Sequence, residues 1–515
     1  MPETPEATAP KSSRTSKSAA GWTCDKPGSY RQLMEADPRR PGKQHSFAWL
    51  NPAPLWASRN DRVARVIGDP VGKLRQEWLA RRPQGDGDRI VEAPARDDGS
   101  ISFLVMGDTG EGDSSQFAVV PPLQAQADGT SFLVICSDVI YPAGGIDEYL
   151  YNFFKPYRDY NGPIYAVPGN HDWYDNCTGF MYWFCGEKSP PKPHGLLHRL
   201  LWRRPPSGHE DKIERCRELR SDPAQQAEQP GPYFVINAGP LKLVGIDTGI
   251  KGNLDEAQGR WLRQVSEGPA PKILLTGKPL YVDGARRRRE IDGGGTVDEI
   301  VTNRANNYIA AIGGDIHNYQ RYPAKLDDGR TMLYLVSGGG GAFMHETHTI
   351  DNLDRRPELH VSEKDFRCYP LRGDSLSRYS QLYAKKLVGK LAGAKYIPPD
   401  QASALISEER HIPATRESAR EVTITGQTRK TAKRLDHLPK RGRGGLHVPF
   451  SEWLDSDEPP FFKNFLRIDA APQSVRIRCF GVTGCGEEET NPTLEDNLRA
   501  DLQPDGTWMW TLPAD

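Results

Sequence analysis

Four short polar motifs hold the residues of this chain best suited to chemistry. They are GDTG (107–110), SDVIY (137–141), GNHD (169–172) and GDIHNYQR (314–321). Together they supply carboxylates (Asp108, Asp138, Asp172, Asp315), an amide (Asn170), a phenol (Tyr141) and imidazoles (His171, His317). Oxygen donors with a few imidazoles are the ligand set of a hard divalent or trivalent metal ion. If Asp108 and Asp138 converge, one of them can bridge two ions. A single strand-end aspartate more often caps a turn. Four such motifs in succession do not fit that reading.

The elements that must position these motifs are hydrophobic runs placed just before them: ISFLVM, SFLVIC, PIYAVP and YIAAIG. Each reads as a buried strand, and loops beyond the carboxyl ends of such strands meet in one crevice of a layered α/β fold. A helical connection is expected over IDEYLYNFFKPYRDY (146–160), giving the βαβ rhythm of a parallel sheet. VGKLRQEWLARR (71–82) has an amphipathic helical pattern. PYFVINAGPLKLVGIDTG (232–249) reads as strand, Gly-Pro turn, strand, and ILLT and LYLVSGGGG continue the sheet. The expected organisation is a disordered tail at 1–20, an accessory region at 21–98 and a core at 99–345 with an insertion near 186–230. A helical and basic lobe follows at 346–458, and strands at 459–515 (FLRIDA, SVRIRCFGVTG) return to the core.

Bulk properties set bounds. The chain has 515 residues, 37% hydrophobic and 26% charged, with a formal charge of -1. A sizeable core is possible, and no whole-chain field directs it to nucleic acid or membrane. No run of 18 apolar residues suggests a membrane span. The eight cysteines show no CxxC pair. With no apolar export segment in the first 20 residues, they are expected to be reduced thiols of a cytoplasmic protein. Cys177 and Cys185 are the nearest to a pair.

The four motifs, in this order, resemble those of the calcineurin-like metallophosphoesterase superfamily. They are most similar to its purple acid phosphatase branch, whose pattern is GDxG, GDxxY, GNH(D/E), HxPxY, GHxH. The resemblance spans about residues 101–341 and implies a sandwich of two mixed sheets flanked by helices, here with inserted lobes. It also implies a first metal site of Asp108, Asp138, Tyr141 and His317, with Asp138 bridging and Tyr141 bound as phenolate. Such a set favours Fe³⁺, with Mn²⁺ or Zn²⁺ as alternatives. His171 would contact phosphate or protonate the leaving group, with Asp172 orienting its ring. The activity implied is hydrolysis of a phosphate ester by a metal-activated hydroxide.

Two departures from the pattern bear on the second site. Gly277 stands where HxPxY has its histidine, in Gly277-Lys278-Pro279-Leu280-Tyr281, and Asp315 stands at the first histidine of GHxH. The second site keeps Asp138, Asn170 and Asp315, oxygen donors that would hold Mn²⁺ or Mg²⁺ weakly. Lys278 offers positive charge near phosphate without a metal. His345 and His348 offer an imidazole for the second site or for phosphate. The run Arg286–Arg289 reads as a surface loop or as a lid gripping an anion. Asp247 reads as structural, and Tyr319 and Arg321 as support for His317. Two rivals to the phosphoesterase remain: a phosphoester-binding or regulatory protein on the same scaffold, and an interaction protein with vestigial motifs.

Overall fold

The computed structural model describes residues 22–24, 26–34, 51–81, 89–191, 200–202, 208–391, 393–436, 447–454, 456 and 458–513. The tail at 1–20 and part of the basic tract at 437–446 lie outside the described residues.

The hydrophobic runs form strands because both of their faces are covered. Along Ile101–Met106, the residues Ile101, Phe103 and Val105 enter a core shared with a second sheet, while Leu104 and Met106 face helices. A strand covered on both sides reads as a continuous apolar run without alternation. In chain order the strands are β1 (Ile90–Ala93), β2 (Ile101–Met106), β3 (Leu133–Cys136), β4 (Ile164–Val167), β5 (Phe234–Ala238) and β6 (Leu241–Ile246). They continue with β7 (Lys272–Thr276), β8 (Tyr281–Val282), β9 (Ala285–Arg286), β10 (Tyr308–Gly313), β11 (Tyr319–Lys325) and β12 (Thr331–Ser337). The last five are β13 (Arg367–Tyr369), β14 (Lys463–Ala471), β15 (Ser474–Val482), β16 (Thr493–Leu502) and β17 (Trp508–Thr511).

Two large mixed sheets result. One runs β1-β5-β6-β7-β10-β12-β11-β13, the other β17-β16-β15-β14-β2-β3-β4, and β8-β9 is a separate hairpin. Strands β2, β3 and β4 are mutually parallel, as are β6, β7, β10 and β12. The sheets pack face to face through Phe103, Val105, Val134, Leu243, Ile273, Leu275, Ile312 and Leu335. Helices cover both outer faces: Val71–Ala80, Ser114–Ala125 and Thr178–Cys185 on one, Glu256–Ser266 and Val297–Thr302 on the other. The fold is the α/β sandwich of two mixed sheets flanked by helices that the motifs imply.

The first sheet recruits β1 from the accessory region and β13 from the inserted segment. Helices Arg372–Lys385, Pro399–Arg410 and Gly426–Asp436 of that segment build a core of their own. The expected helix at 146–160 is a 3-10 turn (Ile146–Glu148) followed by a π-helical turn (Leu150–Phe154). Its aromatic side chains Tyr149, Phe153 and Phe154 pack into the helix-side core instead of onto one stripe. One cysteine expectation is corrected. Cys24 and Cys485 form a disulfide, with Cα atoms 5.5 Å apart, because an isolated bridge pairs Pro27 with Cys485 and brings both chain segments together. Cys177 and Cys185 are buried free thiols. Among the described residues, no helix is long and apolar enough to cross a membrane.

Candidate metal centre

Six loops from both sheets meet at the carboxyl ends of the parallel strands. Asp108 follows β2, Asp138 follows β3, and Asn170 and His171 follow β4. Lys278 follows β7, Asp315 and His317 follow β10, and His345 follows β12. The backbone turns sharply here. Asp108, Ser137 and Asp315 have positive φ values of 57°, 81° and 67°. Non-glycine residues in that region are strained, and such strain concentrates at functional sites. Small residues let the loops close up: a Cβ at Gly169 would overlap Asp138 Oδ1, and one at Gly314 would crowd Asp108 Oδ2.

At the centre lies the Tyr141 hydroxyl. It is 3.1 Å from Asp108 Oδ1, 3.3 Å from Asp138 Oδ2 and 3.2 Å from His317 Nε2. His317 donates from Nδ1 to the Phe343 carbonyl at 2.7 Å, so Nε2 presents its lone pair inward. Three acceptors therefore surround one O–H, and a single proton satisfies only one of them. Burial, then the charges of Asp138 and Asp315, push the Asp108 carboxyl well above its ordinary value. Burial, then Asp108 and Asp138, push the Tyr141 phenol up in the same way. Burial holds the His317 imidazole well below its ordinary value, in the neutral form that binds metals. A cation at this point would relieve all three effects, so the donor set fits a metal ion. Among the described residues, His, Cys, Asp and Glu alone make no cluster of three close enough for a metal. The convergence depends on the tyrosine.

The second position is different. Lys278 Nζ donates to Asn170 Oδ1 at 3.0 Å and to Asp315 Oδ1. The Asn170 amide is turned toward it because Nδ2 donates to the Tyr174 hydroxyl at 2.8 Å. Burial works against the Asp315 carboxylate, but the Lys278 ammonium prevails and holds it below its ordinary value. The weak cation site expected from Asp138, Asn170 and Asp315 thus has an ammonium among its donors, and the donors do not fit a second metal ion as they stand.

The remaining candidates separate clearly. His171 donates from Nδ1 to the Pro142 carbonyl at 2.8 Å, which leaves Nε2 as the basic nitrogen. Asp172 does not orient that ring. Its Oδ2 accepts from Val139 N at 3.1 Å and Gly169 N at 3.0 Å, tying two motif loops together. His345 stacks on His317 with ring centroids 4.2 Å apart, and its Nδ1 accepts from the His317 backbone N–H at 3.0 Å. With Nδ1 used as acceptor, the neutral ring carries its proton on Nε2, which is buried without a hydrogen-bond partner in the structure. His345 thus presents an N–H at Nε2 and not a lone pair. His348 turns into the inserted lobe, against Ser375 at 2.9 Å and the Tyr379 ring. Tyr319 and Arg321 both bond Asp496 of β16 at 2.7 Å, joining the two sheets.

Sequence reasoning undervalued Arg289. The β8-β9 hairpin folds it back, and its guanidinium donates to the Pro279 carbonyl at 2.7 Å. Burial lowers its value to about 10, against the pull of Asp315. The arginine run alone carried no signal separating Arg289 from Arg286, which pairs with Asp298 at 2.6 Å.

Residues 101–319 match the family of calcineurin-like phosphoesterases. The matched segment holds Asp108, Asp138, Tyr141, Asn170, His171 and His317. A purple acid phosphatase, PPD1, from yellow lupin (Lupinus luteus) seeds is similar at 10% identity and a TM-score of 0.40, over 80% of this chain and 56% of that one. The chain thus spans little more than half the length of the lupin protein. PhoD is similar at 10% identity and a TM-score of 0.36, over 82% of this chain and 73% of that one. GAP50, the anchor in the inner membrane complex of Plasmodium, is similar at 12% identity and a TM-score of 0.30, over 48% of this chain and 74% of that one. No curated protein matches the sequence. The similarity to calcineurin-like phosphoesterases rests on the sequence match over residues 101–319 and not on these structural likenesses.

Proposed function

We propose that the chain is a metal-dependent phosphoester hydrolase, with Asp108, Asp138, Tyr141 and His317 as the ligands of its principal metal ion. The observation that carries this reading is the crowding of two carboxylates and an imidazole around one hydroxyl in a buried crevice. The donor set suits Fe³⁺, or Mn²⁺ or Zn²⁺. When bound, the ion supplies Lewis acidity and an activated water.

The chain's own residues do the rest. The backbone N–H of His171 donates to Asp138 Oδ1 at 2.7 Å, and that of Asp315 to Asp108 Oδ2 at 2.8 Å. Each carboxylate is thereby fixed with its other oxygen turned to the Tyr141 hydroxyl. His345 Nε2–H is placed to donate to a phosphoryl oxygen. His171 Nε2, a lone-pair nitrogen in the neutral ring, would deliver a proton to the leaving oxygen only after taking one up to form the imidazolium. Asp172 acts through the loops it ties. The substrate is a phosphate ester.

The test is turnover of p-nitrophenyl phosphate and bis(p-nitrophenyl) phosphate after removal of metal and reloading with Fe³⁺, Mn²⁺ or Zn²⁺. Activity should vanish with chelation and return with metal. Asp138→Asn should lose metal and turnover while its circular dichroism is kept. Normal turnover by that variant would sink the assignment. Lys278 beside Asp315 also favours a second reading, a phosphoester-binding or regulatory protein. Tight phosphate binding without turnover would select it.

A further inference from the structure

We propose that the ε-ammonium of Lys278 is the second cation of this centre, built into the chain, so that the protein binds one metal ion and holds a phosphate oxygen on Lys278. The substrate class rests on the functional reading above. The occupancy of the position does not.

Three observations carry the assignment. First, the ammonium has three N–H donors, and two of them are directed to Asn170 Oδ1 and Asp315 Oδ1. The side chains of Lys278 and Asp315 keep 14% and 23% exposure, whereas Asp108 and Asp138 are sealed. The ammonium thus stands on the more exposed side of the site, with one N–H left after these two bonds. Second, the lysine is pinned. Its backbone N–H donates to Thr248 Oγ1 at 3.0 Å, and its carbonyl accepts from Thr276 Oγ1 at 3.1 Å. A metal ion taking Asn170 and Asp315 would have to expel a side chain whose backbone is fixed on both sides. Third, the neighbouring position has no room for a ligand. A Cβ at Gly277 would meet the Pro168 carbonyl and Thr248 Oγ1, each at 3.0 Å.

Charge agrees. Asp315 and Lys278 cancel, and the half-buried Arg289 guanidinium, close enough to interact with Asp315, adds a further positive charge on this side. A divalent ion here would be repelled by two cations. Among the described residues Asp108 and Asp138 have no such partner ammonium in hydrogen-bond contact, so on this reading their cation comes from solution. An ammonium binds phosphate as a point charge with rotatable donors, which is what a vacant N–H beside the first metal provides.

Two measurements decide. Equilibrium dialysis against rising Mn²⁺, followed by elemental analysis, should give one ion per chain in the parent protein. Two ions per chain would overturn the proposal. Titration calorimetry of inorganic phosphate into the Mn²⁺-loaded protein should show affinity falling about tenfold to a hundredfold in Lys278→Met, the worth of one charge-assisted hydrogen bond. Lys278→Arg should retain part of it. Unchanged phosphate affinity in Lys278→Met, with its one metal retained, would also overturn the proposal. If Lys278→Met fails to fold, Lys278→Gln, which keeps a donor to Asn170 and Asp315, carries the same comparison. Turnover is scored separately. One metal with Lys278-dependent phosphate binding but no hydrolysis removes the hydrolase reading and leaves this one standing. Two metals with hydrolysis does the reverse.

Discussion

Replacing Arg75 by methionine should loosen the centre from beneath. Arg75 lies on the helix Val71–Ala80 and is 1% exposed. Its Nε donates to Asp247 Oδ2 at 2.7 Å, Nη2 to the Asp247 carbonyl at 3.3 Å, and Nη1 to Asp255 Oδ2. Asp247 in turn accepts from Trp173 Nε1 at 3.0 Å and from Gly249 N at 2.8 Å. Trp173 closes the helical turn that carries Asn170 and His171. Burial alone would lower the arginine's value, but Asp247 and Asp255 outweigh it and raise the value. The cation is therefore permanent at any working pH. Removing one partner of a buried ion pair costs about 3–5 kcal/mol, because the other charge is left uncompensated. Asp247 keeps two neutral donors, so the lower end, about 3 kcal/mol, applies. A cooperative unit of this size has a melting entropy of roughly 1 kcal/mol/K, which converts the loss to a Tm drop of about 3 °C. Calorimetric scans at fixed metal concentration measure it. Phosphate affinity should fall in parallel as Trp173 shifts. The double variant Arg75→Met with Asp247→Asn should recover at least about 1 kcal/mol, since the fully buried charge of Asp247 is then no longer stranded, while Asp255 keeps partial exposure. A Tm drop under about 1 °C, or no recovery in the double variant, would refute the reasoning.

Further outcomes are expected. Iron-loaded, oxidised protein should show a visible phenolate-to-iron band that Tyr141→Phe removes, read by absorption after iron content is confirmed. Burial outweighs the Arg367 ion pair and raises Glu495 from 4.5 to about 8. The folded chain then holds an extra proton across that window. Stability should fall as pH rises from 4.5 to 8 and level off above, and Glu495→Gln should flatten that part of the denaturation profile. In denaturant without reductant, six thiols should react, the number of free cysteines among the described residues, and eight after reduction. Cys485→Ser should cost about 2–5 kcal/mol in thermal or urea unfolding.

The centre was legible where chemistry and local pattern coincide. Asp108, Asp138, Tyr141 and His317 each stand just past a doubly buried strand, and such strands announce themselves by unbroken hydrophobicity. What was illegible depended on contacts between distant segments. The direction of Lys278 is set by Thr248 and Thr276, from two different strand ends. His345 was separable from His348 only through the loop that returns one to His317 and sends the other to Ser375. Strand β16 went unseen because its buried residues include Glu495 and Asp496, so it lacks a hydrophobic stripe. The Cys24–Cys485 pairing spans 461 residues and follows from where the sheet places both ends.

The position of β14 has a consequence for when the proposed metal centre takes shape. Lys463 and Asn464 open this strand, and they fasten the glycine loop that roofs Asp108: Asn464 N donates to the Gly339 carbonyl at 2.9 Å, and Lys463 Nζ to that of Ala342. β14 also pairs directly with β2. During synthesis, Asp108 emerges about 350 residues before these partners, roughly 20–70 s at ordinary rates of about 5–20 residues per second. Over that interval the carboxylates meet the cell's cations without their roof or their register. On the proposed function, ion choice by a shaped site would therefore begin only after the strand that follows the inserted lobe has docked, and loading would be an act of the finished protein and not of the nascent one.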